Sequence, residues 1–261
     1  MTQMERRIYL IQELLKEKNY ADEIPHDEQE QKDLLRSLMN VREPLPISEE
    51  FLKVQDEYLL ERNRERGCID VESLKPFSKK DGRLFLWQGD ITTLKIDGIV
   101  NAANSRLLGC LAPLHMCIDN CIHTFAGIQL RLACNELIEK QGRPEGTGLC
   151  KITPAFNLPS KYVLHTVGPI ISTVVRPHDK VLLANCYKNC LQTAAENGLE
   201  SVAFCCISTG VFRFPAELAA EIAVSTVKTF LDENSECSVK KVVFNVFGNK
   251  DLEIYRNVLN R

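Results

Sequence analysis

The 261-residue sequence predicts an α/β fold, a mainly parallel sheet covered by helices on both faces, with a helical extension ahead of it. Three observations point there. From about Arg83 onward, short apolar runs alternate with stretches of helical period. Before that point the chain is highly charged, and its apolar residues recur only as helical stripes. Finally, Gly and Asn cluster directly after the apolar runs, where an open parallel sheet presents its ligand-binding strand ends.

The elements follow in order. Ile8, Ile11 and Leu15, with Leu14 beside them, mark a first amphipathic helix. Leu34, Leu35 and Leu38 mark a second, and Phe51, Val54, Tyr58 and Leu59 a third, after punctuation by Pro44 and Pro46. Strands are expected at Leu84–Gln88, Gly98–Asn101, Tyr162–Val167, Ser201–Ile207 and Lys241–Phe247, and helices at Ile118–Gln141, Lys180–Asn197, Pro215–Glu233 and Asp251–Leu259. The division is therefore an extension over residues 1–75 and a main domain over 76–261.

Composition narrows the function. Hydrophobic residues make up 44% and charged residues 26%, ordinary values for a globular protein. A net charge of −3 argues against nucleic acid as a partner, because broad phosphate binding needs a basic excess. No secretion signal or membrane-length apolar run is visible, so no membrane partner is expected. Eleven cysteines, an odd number that includes the adjacent Cys205 and Cys206, read as reduced, cytoplasmic usage.

Five stretches carry candidate chemistry. Asp90, in Trp87-Gln88-Gly89-Asp90-Ile91, offers a carboxylate at a strand end, although Gly-Asp is also good turn chemistry. Asn101 and Asn104 place two amides after the next strand; Asn donates and accepts, which suits sugar hydroxyls, and it is also common at helix starts. Cys110, His115 and Cys117 form a C-x4-H-x-C arrangement in a loop containing Pro113. Thiolate and imidazole are preferred zinc ligands, and three of them with an open position describe a catalytic site. Cys121 and His123 compete for a fourth place that would close it, and a loop of buried thiols beside an unrelated histidine is the bland alternative. Asp119 and His123 stand i,i+4 on one helix face, as an acid–base pair or a structural hydrogen bond. Ser208, Thr209, Gly210, Val211 and Phe212 follow a strand and precede a helix starting near Pro215, a loop whose N–H groups suit an anion. His165 lies mid-strand, as core histidines do, and Phe247 ends the last strand.

Taken together, Gln88 to Thr92, Asp97 to Asn104, Ile118 to His123, Thr147 to Pro169, Ile207 to Phe212 and Phe244 to Phe247 resemble the macrodomain family, in the family's order, over about residues 75–261. The resemblance implies a three-layer α/β/α fold that binds ADP-ribose. It implies that Asp90 takes the adenine amine, Ile91 seats the base and Phe247 lies against it. Asn101 and Asn104 would approach the distal ribose, and Ser208 to Phe212 would wrap the diphosphate. Where many members carry a run of glycines, this chain has Cys110 to Cys117, which looks like a zinc-dependent bacterial subgroup that removes mono-ADP-ribose from proteins. Some of that subgroup resemble genes beside a sirtuin-type ADP-ribosyltransferase and a lipoylated carrier protein, which makes such a carrier a candidate substrate.

The expectation is therefore a zinc-dependent protein-ADP-ribose hydrolase. Zn2+ on Cys110, His115 and Cys117 would polarise a substrate oxygen or activate water. Asp119 would act as base or orient the ribose, with Asn104 and Asn120 steadying the sugar. A reader that binds ADP-ribose without cleaving it, its zinc structural, is the competing class. A zinc deaminase is discounted, because neither H-x-E nor P-C-x-x-C occurs.

Overall fold

The computed structural model describes residues 1–18, 23–77 and 81–261. The first three helices are α1 (Gln3–Glu17), α2 (Glu28–Val41) and α3 (Glu49–Glu65). Each begins where a short polar side chain satisfies free N–H groups: Thr2 in a reciprocal box with Glu5, Asp27 on Gln29 and Glu30, and Ser48 on Phe51. Their apolar stripes meet in a cluster of their own, with Leu10, Ile11, Leu14, Leu35, Phe51 and Tyr58 all buried. Each such side chain contributes about 2 kcal/mol before ordering costs. Ile128, from beyond the extension, belongs to the same cluster, so the helices are docked rather than tethered.

A two-stranded parallel pair, β1 (Ile69–Asp70) with β3 (Leu94–Lys95), lies beside the main sheet. That sheet comprises β2 (Leu84–Gln88), β4 (Gly98–Ala102), β5 (Cys150–Pro154), β6 (Tyr162–Thr166), β7 (Ser201–Phe204) and β8 (Lys241–Val246), in the order β2-β8-β7-β4-β6-β5. Every neighbouring pair is parallel except β5 with β6. Helices α4 (Ile118–Ala126) and α5 (Ile128–Gln141) pack on β4 and β5, and α2 and α3 pack against α4. Helices α6 (Pro177–Glu196), α7 (Ala216–Glu233) and α8 (Asn249–Leu259) form the opposite layer, α6 on β5 and β6 and α8 on β2 and β8. The result is the expected three-layer α/β/α arrangement with a mixed, mostly parallel sheet. No helix among the described residues is long and apolar enough to cross a membrane.

Several elements depart from the sequence expectation, among them the short strands β1 and β3, which were not expected. The helix expected over Ile118–Gln141 is broken at Gly127, whose φ of +97° no helix accommodates. A Cβ there would stand 2.8 Å from the side chains of Gln55 and Gln129, so glycine also lets α3 approach the break. The antiparallel edge strand β5 was not expected; its terminal Pro154 sits on a sheet edge, where a missing N–H costs least. Two strands are also shorter than their apolar runs: β7 stops at Phe204 and β8 at Val246.

Candidate functional site

The register of the sheet builds the centre of the site. Asn101 on β4 pairs with His165 on β6, which places both on the face that α4 and α5 cover. Asn101, completely buried, donates from Nδ2 to Asp119 Oδ1 at 2.8 Å and faces His165 Nδ1 at 3.2 Å. With the amide donating, the ring carries its proton on Nε2, toward Thr153 Oγ1 at 2.9 Å. Asn104 donates to Asp119 Oδ2 at 3.3 Å and to the Gly109 carbonyl at 3.0 Å. Asp119 stands in the first turn of α4, and burial pushes its carboxyl up to about 6 against the opposing pull of Asn101, Arg131 and Asn104. His123, one turn further, brings Nε2 to 3.6 Å from Asp119 Oδ1, and burial holds the imidazole well below its ordinary range, hence neutral. That 3.6 Å spacing is too long for a hydrogen bond.

Directly before α4, the loop brings Cys110 Sγ, His115 and Cys117 Sγ within 4.8 Å of one another, with Cys110 Sγ 3.4 Å from His115 Nδ1. His115 is exposed and both thiols are half-buried, so the group is open to solvent. The Cys117 thiol is pushed up to about 12, first by burial and then by Cys110 at its side. The Cys117 thiol therefore keeps its proton in the absence of a cation, and a divalent ion reverses that balance. The donor set therefore fits zinc with three protein ligands and one position open. Neither Cys121 nor His123 shares the common spacing of the three. Cys121 Sγ meets Arg36 Nη2 at 3.8 Å instead, and His123 lies in a second trio with Cys134 and His165. That second trio is sealed in the core, with Cys134 pushed far up by burial and His165 already hydrogen-bonded, as suits a packed polar cluster better than an ion.

The remaining candidates line the same strand ends. Asp90 Oδ1 caps a short turn by accepting from Thr92 N at 2.9 Å, and Oδ2 pairs with Arg66, the residue that ends α3. Arg66 in turn lies 3.3 Å above the centroid of the Phe125 ring. Ile91 is buried in the core, whereas Phe247 is 75% exposed beyond β8. In the 205–214 loop, Ser208 adopts a φ of +66° with its hydroxyl buried and without a partner. The backbone bonds that shape the loop use the N–H groups of Thr209, Arg213 and Phe214. Those of Gly210, Val211 and Phe212 take no part in them. Gly168 makes room for this turn, since a Cβ there would lie 2.0 Å from Ser208 Oγ. A separate hollow of about 380 Å³, lined by Asp97, Lys161, Glu200 and Lys240, lies at the amino ends of the strands, away from these groups.

A family model described as Macro domain matches residues 100–223, a span that contains both asparagines, the thiol–imidazole loop and Ser208 to Phe212. The protein-ADP-ribose hydrolase of Treponema medium is 59% identical over 263 residues, covering 100% of both chains. The chain belongs to the macro domain family. A second protein-ADP-ribose hydrolase, from Staphylococcus aureus, is 53% identical over 97% of this macro domain chain and 94% of its own. Among solved structures, a Trypanosoma brucei macrodomain in complex with ADP-ribose superposes with a TM-score of 0.67 at 30% identity, covering 86% of this chain and 94% of that one. A mutant Oceanobacillus iheyensis macrodomain with ADPR gives 0.61 at 40% identity, covering 68% and 91%.

Four groups in this macro domain escaped sequence reasoning, three of them on the helical extension. Arg66 stands at Asp90, as described. Arg36 and Asn40 of α2 reach the loop that carries Cys110, His115 and Cys117. Asn120 is fully buried there, and its amide is committed on both sides, donating to the Cys110 and Ala112 carbonyls and accepting from Arg36. Arg131, on α5, donates to the carbonyls of Leu108, Met39 and Arg42 and so ties α2 to the same region. No periodicity or spacing marks such contacts, because they form between separate elements; those of Arg36 and Asn40 with the loop span more than seventy positions.

Proposed function

We propose that this macro domain hydrolyses the bond between the distal ribose of ADP-ribose and a mono-ADP-ribosylated protein, with zinc held by Cys110, His115 and Cys117 at the ribose end of the cleft. One observation carries the reading: the Asn104–Asp119 pair and the thiol–imidazole loop adjoin through Gly109, whose carbonyl accepts from Asn104. Polar groups suited to a sugar and donors suited to zinc thus share one strand end. The hydrolase names of the relatives and the ADP-ribose complexes of the structural neighbours support the same substrate.

In this reading Asp90 and Ile91 place the adenine, with Phe247 against its face, and the Ser208–Phe212 loop wraps the diphosphate with the N–H groups of Gly210, Val211 and Phe212. Asn104 orients the distal ribose, and Asp119 accepts a proton or fixes a hydroxyl of that sugar. Asn101, buried and bonded to Asp119, sets the carboxylate rather than touching the ligand. Asn120 steadies the sugar indirectly, by shaping the loop beside it. Bound zinc supplies Lewis acidity at that end of the cleft. Holding both ends of ADP-ribose converts hydrolysis into a reaction of prepositioned groups. The unit that does this is the domain over 76–261 with the 1–75 extension docked on it.

The test is turnover of mono-ADP-ribosylated protein, beginning with a modified lipoylated carrier, by wild-type and Cys117→Ala protein with and without chelator. Release of ADP-ribose that both treatments abolish is the expected result. Tight ADP-ribose binding without turnover of any modified protein would leave a reader, and full metal-free activity of Cys117→Ala would remove zinc from the reaction.

A further inference from the structure

We propose that Arg36 and Asn40 of α2 are positioning residues for the metal-ligating loop, which makes the helical extension a working part of the site. The proposal rests on Cys110, His115 and Cys117 being metal ligands. Its own ground is the way the loop is held.

The segment from Cys110 to Cys117 has little of its own to keep it in shape. It forms no regular element, and Leu111, Leu114 and Met116 are exposed, so no apolar side chain among these anchors it. Leu114 adopts a φ of +59°, a conformation that an L side chain rarely holds unaided. What fixes the loop is a polar network that begins on α2. Arg36 Nη2 donates to the His115 carbonyl at 2.9 Å and to Asn120 Oδ1 at 2.8 Å, and Nη1 meets Met116 Sδ at 3.4 Å. Asn120 Nδ2 passes this on to the Cys110 and Ala112 carbonyls at 3.1 and 3.0 Å. Asn40 Oδ1 accepts from Leu114 N at 3.1 Å, and its Nδ2 donates to Thr124 Oγ1, which donates to Asn120 Oδ1. The backbone is thus pinned at Cys110, Ala112, Leu114 and His115, two of which are ligands. Groups that orient ligands from behind set both metal affinity and geometry.

A purely structural role, holding the extension to the rest of the chain, would look different. Asn63 of α3 serves that role elsewhere, donating to the Asn157 and Phe125 carbonyls without touching the loop. Full-length wild type, Arg36→Met, Arg36→Lys, Asn40→Ala and Asn63→Ala would be loaded with Co2+ and their absorption spectra compared. Zinc affinity would be read by competition with a chromogenic chelator. Arg36→Met is expected to weaken zinc roughly tenfold to a hundredfold and to shift the cobalt ligand-field bands. Arg36→Lys keeps the charge but loses the two-pronged donor, so it should fall between Met and wild type. Asn40→Ala should move both readouts the same way, and Asn63→Ala neither. Should Arg36→Met fail to fold, Arg36→Lys and Asn40→Ala carry the test. Wild-type spectra and zinc affinity in the Arg36 and Asn40 variants would overturn the proposal, as would an equal loss in Asn63→Ala. Wild-type protein that takes up no cobalt would instead defeat the metal reading, and this one with it.

Discussion

Acid should destabilise this protein through its buried histidines, and His165 isolates the effect. His165 is completely buried, and burial lowers its imidazole from the ordinary 6.5 to about 3. Its folded pKa is depressed, so the stability it contributes is present above 6.5 and is lost as pH falls from there toward 3. Between about pH 7.5 and about pH 5 the unfolded chain gains a proton on this residue that the folded chain refuses, which costs about 2 kcal/mol at 1.36 kcal/mol per unit. His123, held neutral by the same cause, adds a loss of the same sign. Asp119 opposes them: its folded value of about 6 exceeds the ordinary 3.8, so the cost of ionising it disappears as pH falls and returns about 1.4 kcal/mol by pH 5. The assay is urea denaturation of wild type and His165→Gln at the two pH values. Losses common to both proteins, including protonation of surface carboxylates, cancel in the difference. His165→Gln is expected to be the less stable protein at neutral pH, yet to lose about 2 kcal/mol less on acidification. Equal losses in the two proteins would refute the argument.

Other expectations follow from the same structure. Asp119→Asn removes a carboxylate whose ionisation the core resists above pH 6, so it should raise the denaturation midpoint at neutral pH while lowering turnover about a hundredfold or more. Phe247→Ala, at a 75% exposed position, should leave stability unchanged and weaken ADP-ribose by about tenfold in calorimetry, the scale of one lost stacking contact. Gly168→Ala forces a Cβ to within 2.0 Å of Ser208 Oγ and 2.9 Å of Ile207 Cγ2; it should cost about 1–3 kcal/mol in thermal unfolding and loosen ADP-ribose through the displaced loop. Arg131→Met should be the most destabilising of the set, by about 3 kcal/mol or more, because it leaves three carbonyls without their donor at the junction of α2 and the loop.

Much of this protein is legible in its order of residues. The alternating apolar runs announce β2, β4, β6, β7 and β8, and the position of Asn101, Asn104 and Asp90 at strand ends follows from those runs alone. The spacing of Cys110, His115 and Cys117 likewise marks a donor set before any coordinates are known, since an eight-residue loop can bring its own ends together. These are local facts, decided by a period of two or 3.6 and by the reach of a short segment. Only the tertiary structure decides which side chains arrive from elsewhere. It breaks the helix at Gly127 so that α3 can approach, and leaves Cys121 and His123 apart from the cluster of Cys110, His115 and Cys117. It also sets Asn101 against His165, sixty-four positions away, through strand register. It turns Asn120 inward to brace a loop and brings Arg36, Asn40 and Arg66 from the extension onto Asn120, Leu114 and Asp90. Such contacts depend on how two apolar clusters pack together, and packing is a property of the whole surface rather than of any stretch of chain.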